Sequence, residues 1–212
     1  MNGIYAIKPK FQELLKPLEA ALISAKVKPD SVTFSALGLS VAGGIALAFA
    51  GREGMLFLLC STPLVTLLRT ILNALDGMLA KSTGQARPFG EVINEFSDRL
   101  ADLALFIGLF CSKLSNGPLL LASLISILLS SYLGILSKAA GGARQYGGLM
   151  GKADRMILLG LACPLAFFLS SFGICSAGLI LDAFALVVLV GSLITIWQRA
   201  KMTYADLESN RQ

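Results

Sequence analysis

The chain reads as an all-α integral membrane protein, with six transmembrane helices preceded by an N-terminal amphipathic surface helix. Three observations predict this. The mean hydropathy is +0.74 and 55% of the 212 residues are hydrophobic, a balance found in polytopic membrane proteins rather than soluble ones. Apolar runs recur with short polar breaks, and each is close to the roughly 20 residues that cross a bilayer core. Lysine and arginine gather in alternate breaks, as the positive-inside rule requires. The expected organisation is one membrane domain over 1–212: a surface helix at 3–26, a six-helix bundle at 30–198 and a cytoplasmic tail at 199–212.

The elements follow in order. Ile4, Ile7, Phe11, Leu14, Leu15, Leu18 and Leu22 recur every three or four residues, with Lys10, Glu13, Lys16 and Glu19 between them. That pattern suits a helix lying on the membrane surface, broken near Pro17. Apolar spans are expected at about 32–50, 55–80, 91–112, 117–137, 156–171 and 174–197. Pro29 opens the first, with Asp30 or Ser31 as N-cap, and its Gly43-Gly44 pair reads as helix packing. Lys8, Lys10, Lys16, Lys26 and Lys28 precede the first span, and Lys81 and Arg87 follow the second. Lys138, Arg144, Lys152 and Arg155 follow the fourth, and Arg199, Lys201 and Arg211 follow the sixth; the other loops hold only Arg52 and Lys113. Both termini and the loops after the even-numbered spans are therefore expected at the cytoplasmic face.

Composition excludes several chemistries. The chain has no histidine, which removes imidazole metal sites and the commonest general base. Cys60, Cys111, Cys163 and Cys175 are scattered through apolar segments without CxxC spacing and read as ordinary buried thiols rather than disulfide or metal partners. The net charge of +5 sits in loops, where it reports topology and anionic lipid rather than nucleic acid. The basic, amphipathic N-terminus lacks a secretory cleavage pattern.

The candidate site lies around the loop between the second and third spans. Asn73 and Asp76 are i and i+3, and Asn94 and Asp98 are i and i+4, so each pair shares a helix face. Carboxylates at membrane depth are costly and mark function by default. Two such faces turned together form an oxygen-rich pocket suited to Mg²⁺ or Mn²⁺.

These residues resemble the signature of the CDP-alcohol phosphotransferase (CDP-alcohol phosphatidyltransferase) family, D-x-x-D-G-x-x-A-R-x8-G-x3-D-x3-D. Asp76, Gly77, Ala80, Gly90 and Asp98 match with every spacing intact; Asn73 and Asn94 replace aspartates, and Lys81 replaces arginine. The N-terminal Tyr5-Ala-Ile-Lys-Pro is similar to a divergent bacterial branch. The resemblance implies a phospholipid-synthesis transferase of the inner membrane. It would move a phosphatidyl group from CDP-diacylglycerol or a similar CDP-alcohol to an acceptor alcohol, releasing CMP. It further implies metal binding by Asp76, Asn73, Asn94 and Asp98, with Asp98 also available as base. Gly77, Ala80, Lys81 and Gly90 would line the nucleotide site, and the assembly would be a homodimer. With two amides for two carboxylates, three outcomes stand open: one metal instead of two, looser metal binding, or an inactive pocket. A non-catalytic CDP-lipid-binding descendant is the rival function; a transporter is disfavoured because the polar residues cluster near one face.

Further residues surround this site. Glu95 is expected to pair with Arg99 at i+4. Arg69 and Asp102 each lie one turn deeper than the motif, so a bridge between them is expected to floor the pocket; alternatively, Asp102 joins the site. The glycine-rich stretch Lys138–Arg155 reads as flexible and basic. Lys152 and Arg155, at a helix start, could hold an acceptor phosphate; Lys138 and Arg144 could do the same or touch lipid headgroups. Asp30, Ser31 and Thr33 resemble the family's P-N-x-x-T opening or serve as a cap. Asp182 suggests a polar interhelical or dimer contact.

Overall fold

The computed structural model describes residues 8–209, and every regular element among them is helical. In chain order these are α1 (Lys8–Ser24), α2 (Pro29–Phe49), a 3-10 segment (Leu56–Ser61), α3 (Thr62–Ser82), α4 (Pro88–Ser112), α5 (Gly117–Ala139), α6 (Lys152–Ser171) and α7 (Ala177–Ser209). The first residues of the expected surface helix, including Ile4, Tyr5 and Ile7, lie outside the described residues, as does Arg211. Prolines open α2, α3, α4 and α5 at their first or second position, where a missing N–H costs nothing.

Among the described residues, five helical segments are long and apolar enough to cross a membrane: those starting at Pro29, Leu56, Gly117, Lys152 and Ala177. The expected third span, α4, has 25 residues but carries Glu91, Glu95, Asp98, Arg99 and Asp102 along its first four turns. Large apolar side chains cover the outside of the bundle. Phe34, Ile45, Leu64, Leu121, Leu161 and Leu179 are each at least half exposed, which water would penalise and lipid would not.

Three details depart from the sequence reading. α1 runs through Pro17 without a break, because Pro17 and Glu13 are both exposed and the carbonyl freed by the missing N–H stays accessible. Lys28, not Asp30 or Ser31, is the N-cap of α2; Asp30 lies in the first turn and pairs with Arg87. The last helix does not end near residue 197 but continues to Ser209, where helix-forming residues outlast the apolar run.

Small residues set how closely the helices approach. α2 packs along α4, and a Cβ on Gly44 would collide with the Ala104 carbonyl, as one on Gly108 would with the Gly44 backbone. The Gly43-Gly44 pair is thus a packing device. α3 packs on α2 and α6, and α7 on α5 and α6, while α3 and α4 meet through side chains rather than by close backbone approach. Leu15 of α1 is buried in a cluster with Val32, Leu75 and Leu79, fastening α1 against α2 and α3. Ser123 donates across to the Ala185 carbonyl at 2.8 Å. At the opposite end, Asp182 accepts from the Ser115 hydroxyl at 2.6 Å and the Asn116 N–H at 2.7 Å, so it is an interhelical contact holding the α4–α5 turn. All four cysteines are unpaired, but only Cys163 is buried: Cys60 and Cys175 are half-buried and Cys111 is exposed on α4.

Candidate active site

The site is built where α3 ends and α2, α4 and α6 begin. Because α3 and α4 stay apart in backbone, a cleft opens between them, with α2 behind it and the start of α6 beside it. Its floor is a buried triad. Asp102, fully buried, accepts from Arg69 at 2.9 Å through one oxygen and from Arg155 at 3.0 Å through the other. Arg69 also donates to the Asp98 carbonyl at 3.1 Å, locking α3 to α4. The expected Arg69–Asp102 bridge is present, and Asp102 is spent within it.

About two turns along α3 from Arg69, Asp76 is 3% exposed. One of its oxygens accepts from the Thr33 hydroxyl at 2.8 Å; the other has no hydrogen-bond partner. Asp98 and Lys152 lie within electrostatic reach of it, and Lys152 is ion-paired with Asp98. Asn73 Nδ2 and Asn94 Oδ1 are likewise buried without partners. Unsatisfied buried polar atoms are rare and call for an explanation. Exchanging the amide ends of Asn73, which X-ray density seldom distinguishes, would present a third oxygen. Asp76, Asp98 and the two amides offer oxygen donors alone, the type that suits a hard divalent cation. Among the described residues no three acids, cysteines or histidines come together, so the amides are needed to complete any such site.

The remaining predicted residues fall into two groups. Gly77 is exposed, and a Cβ there would meet nothing within 4 Å. Helix packing therefore does not account for it, and the α3 backbone there is open to close approach. Ala80 and Gly90 are half-buried and Lys81 is exposed at the same end of the cleft.

The second group carries the basic residues. Arg155 is 2% exposed and committed to Asp102, so it does not project into the cleft. Lys138 pairs with Glu91 at 2.8 Å, and Arg144 with Glu91 at 3.4 Å and with Glu95. Glu95 thus takes Arg144 rather than Arg99, because the α5–α6 loop reaches α4; Arg99 instead lies 3.9 Å from Asp98. Burial opposes the Arg144 charge, yet Glu95 and Glu91 outweigh it and raise its pKa above the ordinary value.

Sequence reasoning missed how the loop is held. Its glycines suggest flexibility, but α7 fastens it. Arg199 Nε donates to the Gly147 carbonyl at 2.9 Å, the Thr195 hydroxyl accepts from Met150 N–H at 2.8 Å, and Asp206 accepts from Ala143 N–H. Thr195, Arg199, Met202 and Asp206 are spaced by four, three and four residues, a helical stripe that is visible in the sequence. Thr33, which the sequence offers only as motif or cap, is the direct partner of Asp76.

No protein-family model matches the chain, but individual relatives do. It is 38% identical over 158 residues to the inner membrane protein YnbA of Escherichia coli, covering 74% of this chain and 77% of that protein. It is 30% identical over 204 residues to the phosphatidylinositol phosphate synthase of Mycobacteroides abscessus, covering 94% and 87%. The chain belongs to the CDP-alcohol phosphatidyltransferase family. The fold agrees: the crystal structure of Mycobacterium tuberculosis phosphatidylinositol phosphate synthase with CDP-DAG bound matches with a TM-score of 0.71 at 26% identity, covering 89% of this chain and 92% of that one. A structure of the same synthase in complex with manganese and citrate matches with a TM-score of 0.71 at 27% identity, covering 89% and 88%. As a member of this phosphatidyltransferase family the chain is an enzyme of phospholipid synthesis.

Proposed function

We propose that this chain transfers a phosphatidyl group from CDP-diacylglycerol, or a similar CDP-alcohol, to an acceptor alcohol and releases CMP. The observation that carries this reading is the buried, unpartnered Asp76 oxygen within electrostatic reach of Asp98. Asp76, Asp98 and the amide oxygens of Asn73 and Asn94 hold Mg²⁺ or Mn²⁺. A divalent ion there neutralises the donor pyrophosphate and polarises its phosphorus. The acceptor oxygen forms its bond to the β-phosphorus as the bond from that phosphorus to the CMP oxygen breaks. Asp98 takes the acceptor's proton. Lys152, ion-paired with Asp98, holds that carboxylate in position for it.

Gly77, Ala80, Lys81 and Gly90 flank the nucleotide, with Gly77 giving it close access to the α3 backbone. Lys152, Lys138 and Arg144 line the acceptor side, and Arg155 supports that side from below through Asp102. The relatives' name, phosphatidylinositol phosphate synthase, supports a phosphorylated polyol as acceptor. α4 is read as the third of six spans, α1 as the surface helix, and the enzyme as an inner-membrane homodimer with the cleft and both termini cytoplasmic. Loop charge supports that orientation; the half-exposed Trp197 ring, 3.9 Å from the Lys201 ammonium, is an anchor typical of either membrane interface.

The test is CMP release by purified protein in lipid with CDP-diacylglycerol, Mg²⁺ or Mn²⁺, and free and phosphorylated polyols. Metal-dependent CMP that disappears in Asp98→Asn, while that variant keeps its melting temperature, is the expected result. CDP-lipid binding without turnover under every acceptor would instead establish a non-catalytic descendant.

A further inference from the structure

The two amides and the Lys152–Asp98 pair point to a reduced metal complement. Around the cleft, three carboxylates (Asp76, Asp98 and Asp102) stand with four cationic side chains (Arg69, Arg99, Lys152 and Arg155). Asp102 is consumed by its two arginines and Asp98 is engaged by Lys152, so Asp76 is the one carboxylate there with a buried oxygen left unpartnered. Two divalent ions a few ångströms apart repel strongly and need several anionic ligands to sit together. Neutral amides cannot supply that charge.

We infer that this chain holds one divalent cation per site, and that the Lys152 ammonium, beside Asp98, stands where a second positive charge is required. The inference rests on the transferase reading above, but it concerns only the charge that Asn73, Asn94 and Lys152 set. Lys152 suits that role because it stands at the start of α6, and a fixed ammonium needs no ligand set of its own. The donor pyrophosphate then meets one metal ion and one lysine, rather than two metal ions.

Mn²⁺ binding to the full chain in nanodiscs, with and without CDP-diacylglycerol, tests this by stoichiometry and electron paramagnetic resonance. The expected wild-type result is one Mn²⁺ per chain with an uncoupled six-line spectrum. Lys152→Gln removes a competitor for Asp98 and is expected to tighten Mn²⁺ binding about tenfold. Asn73→Asp/Asn94→Asp/Lys152→Gln is expected to take two ions with an exchange-coupled spectrum. Two coupled ions in the wild type would overturn the inference. So would a Lys152→Gln variant with unchanged or weaker affinity, which stays decisive if the triple variant does not fold. A folded triple variant that takes one ion would overturn the assignment to these three positions. CMP release on the same samples separates the two readings. Two ions with turnover refute the single-cation site alone; one ion without turnover refutes the transferase alone.

Discussion

Replacing Asp102 by asparagine keeps the side chain's shape and removes the charge that two buried arginines share. Arg69 and Asp102 are fully buried and Arg155 is 2% exposed, with contacts of 2.9 and 3.0 Å. Breaking a buried ion pair from one side costs about 3–5 kcal/mol, because the remaining charge is left uncompensated. Here one carboxylate serves two guanidinium groups, so the loss belongs at the upper end, about 5 kcal/mol, or several thousandfold in the unfolding equilibrium. Chemical unfolding of purified protein in detergent would measure it. The companion variant Arg69→Met/Asp102→Leu/Arg155→Met removes the charges together and is expected to recover most of the stability, as apolar replacement of buried ionic clusters does. An Asp102→Asn protein as stable as the wild type would refute the reasoning, since the triad could not then be holding α3, α4 and α6 together.

Four other outcomes are expected. Gly77→Leu should fold normally, because a Cβ there meets open space, yet raise the KM for CDP-lipid about tenfold or more; Gly44→Leu should do the opposite, losing about 1–3 kcal/mol or more by overpacking against α4. Arg199→Met should speed amide exchange across 143–150, read by mass spectrometry, while leaving exchange in α2 and α4 unchanged. Glu91→Gln severs exposed pairs with Lys138 and Arg144, so thermal unfolding should show a stability change within about 1 kcal/mol that shrinks further in high salt.

Much of this was legible because two periodicities coincide in the chain. Apolar runs located five helical segments suited to cross a membrane, and the i, i+3 and i, i+4 spacing of Asn73, Asp76, Asn94 and Asp98 set four polar side chains on two helix faces. The Arg69–Asp102 bridge followed from depth alone: charges at matching levels on antiparallel helices pair or pay heavily. What spacing could not show was competition among partners distant in sequence. Glu95 had a local candidate in Arg99, but Arg144 arrives from a loop 49 residues on. Arg155 reads as a donor to ligand because it opens a helix, yet Asp102 claims it. The α7 stripe is hidden when a helix is taken to end with its hydrophobicity. Thr195, Gln198, Arg199 and Asp206 instead carry the helix onward because each has loop backbone to bind.

The buried triad also constrains how the protein is made. Arg69 leaves the ribosome well before Asp102, and Arg155 follows 53 residues after its carboxylate partner. An arginine at that depth on an isolated helix costs several kcal/mol to insert. The α3 segment is therefore poorly suited to enter the bilayer alone, and α4, rich in acids, is poorly suited to do so either. Delivered together as a hairpin they neutralise one another, and α6 then adds its arginine to a carboxylate already in place. On the six-span reading, the charge that fixes the mature fold also decides which helices travel as a pair.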